Sequence, residues 1–110
     1  MTMVKEIIVT TAFDVPERKV VKVLGLARGN TVRARNIGRD IGAGLRNLVG
    51  GEVKTYTEMT AQSRDEAFNR MVNDAIKMGA DAVIGFNFST SMVMQGASEM
   101  LAYGTAVKLN

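Results

Sequence analysis

Ser63–Phe88, SRDEAFNRMVNDAIKMGADAVIGFNF, decides how the rest of the chain is read. Ser63 stands three residues before Glu66, the capping-box spacing that satisfies two orphan N–H groups, so a helix is expected to start there. Ala67, Phe68, Met71, Val72, Ala75, Ile76 and Met78 fall on one half of its wheel; Glu66, Asn69, Arg70, Asn73, Asp74 and Lys77 fall on the other. That split predicts a helix lying on a core with one wet face. A face carrying Met and Phe is read as core packing in preference to a cofactor slot. Glu66–Arg70 and Arg70–Asp74 have i,i+4 spacing, Lys77 suits the negative C-terminal end, and Gly79 supplies the left-handed residue that stops helices. From Asp81 the period changes. Ala82, Ile84, Phe86 and Phe88 alternate with Val83, Gly85, Asn87 and Ser89, the pattern of a strand packed directly against the helix before it.

Outward from this stretch, 110 residues suffice for one domain, residues 1–110, with a modest core. The chain has no cysteine and no histidine. Disulfides and thiolate metal sites are therefore excluded, and the usual general base at neutral pH is missing. No apolar run approaches the ~20 residues that span a membrane, and Met1–Thr11 lacks a basic start and a long apolar run, so no signal peptide is expected. A cytoplasmic protein without membrane contact is the expectation. The net charge of +3 is compatible with nucleic-acid contact without arguing for it.

Glu6–Thr11 reads as a short strand and Phe13–Arg18 as a turn fixed by Pro16. Val20–Arg28 reads as a second strand, with Val21, Val23, Gly25 and Ala27 on one face and Val20, Lys22, Leu24 and Leu26 on the other. Both faces are largely apolar, which a small domain cannot cover by itself, so a second subunit is expected against one of them. Gly29-Asn30-Thr31 reads as a break, and Val32–Arg35 as extended chain or loop. A second helix is expected over Asn36–Val49, where Ile37, Ile41, Leu45, Leu48 and Val49 form a narrow stripe. Gly38, Gly42 and Gly44 weaken it by up to about 1 kcal/mol each, a cost that close packing of a partner subunit would offset. Glu52–Met59 is ambiguous between strand and loop. Met92–Ser98 carries a turn with Gly96 at its tip, and Met100–Leu109 closes an antiparallel hairpin with the strand before it. The order β-β-α-α-β-β then predicts an α+β fold of two layers, two helices on a mostly antiparallel sheet.

The blocks NIGRDIGAGLRNLVGGE (Asn36–Glu52), SRDEAF, GADAVIGFNF (Gly79–Phe88) and the closing GTAVKL resemble the UPF0145, or YbjQ-like, family over nearly the whole chain. The resemblance implies small α+β subunits related to dodecin-like folds, assembled as pentameric rings or pairs of them. It also carries a heavy-metal-binding label but little about activity. This sequence departs from a soft-metal reading, because without Cys or His it offers no natural ligand for such an ion.

Three groups are candidate sites. Arg28, Arg33, Arg35, Arg39 and Arg46 lie close together with Asp40 the only acid among them; Arg33, Arg35, Arg39 and Arg46 are the candidates for bidentate contact with an anion. The plainer reading is inter-subunit salt bridges and a solvated face. Gly38-xxx-Gly42-x-Gly44 lacks the Lys-Ser/Thr of a phosphate loop and is read as close packing. Asp40, Glu58, Asp65, Glu66 and Asp81 are scattered, with no pair spaced for acid/base work, and Asp81 is expected to bond local backbone. No serine has a partner to activate it. The sequence therefore predicts a non-enzyme with no cofactor and no metal, whose partner is itself. Val21, Val23, Gly25, Gly38 and Gly42 are the interface candidates. A small anionic ligand is the next partner considered, and nucleic acid is disfavoured. Binding or scaffolding by the ring is the leading function; anion or nucleic-acid binding through Arg28–Arg46, and metal or small-ligand binding in the ring, are the alternatives.

Overall fold

The computed structural model describes residues 6–34, 53–94 and 97–110. Within them the elements are β1 (Ile8–Val9), β2 (Val20–Ala34), α1 (Val53–Lys77), β3 (Ala82–Met94) and β4 (Ala97–Leu109). The strands form one sheet in the order β1-β3-β4-β2. β4 pairs antiparallel with β3 and with β2, whereas β1 runs parallel to β3, so the sheet is mixed. The α+β class stands, but the expected β-β-α-α-β-β order is corrected: one helix lies between β2 and β3 among the described residues. Asn36–Val49, the expected second helix, lies outside them, as do Gly38 and Gly42. The parallel pairing has a physical cause in the loop after β1. The Pro16–Glu17 turn, with Glu17 at φ 68, does not join neighbouring strands. The loop buries Val15 against Ala82, Val107 and Leu109 and then ties Lys19 to Asn110, carrying the chain from one sheet edge to the other.

α1 begins at Val53 rather than Ser63. Its first turns include Val53, Thr55, Tyr56 and Thr57, residues of weak helix propensity that hide a helix from sequence. Ser63 is consequently no cap. It lies buried inside α1, where its carbonyl accepts a hydrogen bond from the Thr31 hydroxyl at 3.2 Å. The apolar face falls where the wheel puts it. Ala67, Met71 and Ala75 are fully buried, and Phe68, Val72 and Met78 pack beside them. The end of the helix is a Schellman motif: Gly79, at φ 83, donates to Ile76 O at 3.0 Å, and Ala80 donates to Ala75 O at 3.1 Å. Asp81 makes a long-range tie as well. Its N–H donates to Val107 O and its carboxylate accepts from Leu109 N–H, both at 2.9 Å, fastening β3 to the end of β4.

The helix covers one face of the sheet. Ala27, Ala102, Ala106, Val83 and Met100 meet it there, and small residues let the layers approach closely. Gly29 is the extreme case. The expected break at Gly29-Asn30-Thr31 is continuous strand, paired with Leu101 and its neighbours, because Gly29 is where the backbone of α1 presses on β2. Gly104 plays a similar part within the sheet, since a Cβ there would overlap Val83 Cγ1 and lie 3.1 Å from Ile84 O. Gly104→Ala is expected to cost about 1–3 kcal/mol, seen as a lower urea midpoint at unchanged slope. Phe68 on α1 meets Phe86 on β3 edge-on at 5.4 Å, and Phe86 meets Phe88 at 4.9 Å. Such pairs add roughly 0.5–1.5 kcal/mol beyond area burial.

Candidate functional site

The uncovered surface of β2 and the sheet face opposite α1 carry the features that a partner or ligand could use. Two register shifts, at Val20/Lys22 and Val23/Gly25, divide the faces of β2 differently from a simple alternation. Beyond them Gly25 and Ala27 turn toward α1, with the Met78 methyl 3.3 Å from where a Gly25 Cβ would sit. Leu24 joins that side too, packing against the core, whereas Leu26 opposes Thr105 and points away. Val21 and Val23 remain 61% and 62% exposed, and Leu26 56%. The expected pairing of Val21 and Val23 with Gly25 and Ala27 on one face is thus broken by the bulges. Arg33 lies in β2 opposite Ser98. Arg35, Arg39 and Arg46 lie outside the described residues.

The outer edge of β2 is held by two side chains of α1. Asp74 Oδ2 accepts a hydrogen bond from Arg28 N–H at 3.1 Å, and Arg70 Nη1 donates to Asn30 O at 2.6 Å. Sequence placed Arg70 and Asp74 in i,i+4 pairs on the wet face; instead they reach the strand. No local pattern could have found this, because the partners lie 46 and 40 residues away.

On the sheet face away from α1, Leu26, Arg28 and Asn30 on β2 and Glu99, Leu101 and Tyr103 on β4 line an open depression of about 560 Å³. Arg28 lies directly opposite Tyr103, and Asn30 opposite Leu101. Asn30 Nδ2 donates to Glu99 Oε2 at 3.1 Å. Among the described residues the Arg28 guanidinium and the Tyr103 hydroxyl have no hydrogen-bond or ion-pair partner. Glu99 and Tyr103 escaped the sequence reading, where strand alternation was the only available signal.

No group of three or more acidic side chains gathers where an ion could be held among the described residues. No described helix is long and apolar enough to cross a membrane.

Residues 7–110 match the YbjQ family model, described as "Putative heavy-metal-binding". A UPF0145 protein of Archaeoglobus fulgidus is 58% identical over 107 residues, covering 97% of this chain and 99% of its own. One from Methanoculleus marisnigri is 59% identical, covering 93% and 95%, and one from Thermotoga maritima 53%, covering 93% and 96%. A crystal structure of a DUF74-family protein of unknown function from Pediococcus pentosaceus matches with a TM-score of 0.64 at 17% identity, over 94% of this chain and 98% of that one. At that identity the likeness concerns the fold alone. The family match over nearly the whole chain, together with relatives above half identity, places this protein in the UPF0145, or YbjQ-like, family.

Proposed function

We propose that this protein is a non-enzymatic cytoplasmic subunit of a closed homo-oligomeric ring, pentameric as its family resemblance implies, which acts by binding or scaffolding through surfaces completed on assembly. A run of exposed valines at the start of β2 carries this reading: Val20, Val21 and Val23 are 37%, 61% and 62% exposed. An apolar run of this kind on an edge strand is what a neighbouring subunit buries, and Val21 and Val23 are the surface offered to it.

The heavy-metal description finds no support in the donor set, because the chain holds neither cysteine nor histidine, the ligands that soft ions prefer.

Native mass spectrometry of untagged protein purified without chelator tests the reading. A closed oligomer is expected for the natural sequence, and Val23→Glu should reduce it to single subunits. Because Val23 is already exposed in one subunit, the same change should move the stability of that subunit by no more than about 0.5 kcal/mol. A folded monomer of the natural sequence, or an intact ring of the variant, would overturn the proposal.

A further inference from the structure

We propose that the depression between β2 and β4 binds small organic monoanions that carry a flat apolar body and a hydrogen-bond donor at the far end. This site is built by one copy of the chain and does not depend on assembly. Its floor is the middle strand, where Leu101 and Tyr103 present an aliphatic and an aromatic surface side by side. One wall is β2, with Leu26, Arg28 and Asn30. The opposite side is low, because β3 places the short polar residues Asn87 and Ser89 beside Tyr103 and Leu101. The volume of about 560 Å³ falls in the range of small-molecule sites, roughly 300–1,000 Å³.

The polar groups divide the depression into two ends. At one end Arg28 opposes Tyr103. A guanidinium presents donors in a planar fork that matches a carboxylate, and the phenol adds one donor beside it. At the other end the Asn30 amide holds the Glu99 carboxylate at 3.1 Å. A carboxylate is an acceptor with lone pairs to spare after one bond, so this end suits a hydroxyl or amine and repels a second anion. Arg28 and Asn30, two residues apart on one strand, stand about 7 Å apart. That span fits a single ring substituted at opposite positions. Extended polyanions such as nucleic acid are disfavoured by Glu99.

The test uses 4-hydroxybenzoate as probe, followed by saturation-transfer NMR and isothermal titration on the full chain. Saturable binding with Kd of about 1 mM or tighter is expected. The neutral 4-hydroxybenzamide should bind at least about tenfold more weakly. Arg28→Met, which keeps the aliphatic stem, should cost at least about tenfold, while Arg64→Met on the exposed face of α1 should change nothing. Glu99→Gln should reduce the preference for 4-hydroxybenzoate over benzoate. Equal affinity for acid and amide, equal loss in the two arginine variants, or no saturable signal up to about 10 mM would overturn the proposal. Native mass spectra of the same samples report subunit number separately, so a failed site is distinguished from a failed ring.

Discussion

Gly29→Ala should lower stability by about 3–5 kcal/mol, above the usual range for overpacking. At 4–8 °C per kcal/mol for a domain of this size, the midpoint should fall by roughly 15 °C or more, compared at equal protein concentration. The reason lies in which atoms a Cβ would meet. It would stand 2.5 Å from Ala67 O and overlap Met71 N, both backbone atoms of α1. A flexible side chain can swing away from an intruding methyl; a helix backbone can move only by lifting the whole element. Lifting α1 would loosen Ala67, Met71 and Ala75, all fully buried against the sheet. Gly25 makes the contrast, since its neighbour is the mobile methyl end of Met78. Calorimetry showing a loss below about 1 kcal/mol would mean that helix and strand do not meet as described.

The second large effect is expected at Met71. This residue is among the largest fully buried side chains and sits at the centre of the helix–sheet contact. Met71→Ala removes three heavy atoms from a close-packed layer and leaves a cavity, with an expected cost of about 2–5 kcal/mol. Met71→Leu conserves volume and should cost less than about 1.5 kcal/mol. Denaturant curves of the pair separate packing from polarity. Equal losses in both variants would argue that the site needs the thioether rather than its volume.

These two residues also show what sequence can and cannot convey. Met71 was legible because burial of a helix face follows a 3.6-residue period, which Ala67, Met71 and Ala75 keep. The Gly79 stop and the β3–β4 hairpin were legible for the same reason, being local. Gly29 was misread because a glycine breaks a strand or admits a neighbouring backbone with the same letter, and only the tertiary partner decides which. The true start of α1 was hidden because threonine, valine and tyrosine are weak helix formers that favour strands. The sheet order was hidden because β1 pairs with a strand more than seventy residues away. Of the depression, Arg28 shows in the sequence as part of a basic run, but its opposition to Tyr103 depends on a register that two bulges in β2 reset.

The ties from Asp74 and Arg70 to the backbone of β2 bear on how large any assembly can grow. A bare strand edge is a reactive chain end: each added strand regenerates the same end, and growth continues into a fibre. Here α1 occupies Arg28 N–H and Asn30 C=O, so at these positions it acts as a terminator in the sense of polymer chemistry. In the proposed ring, contacts between copies would be left to side chains such as Val21 and Val23, whose geometry can close on itself and stop at a fixed number.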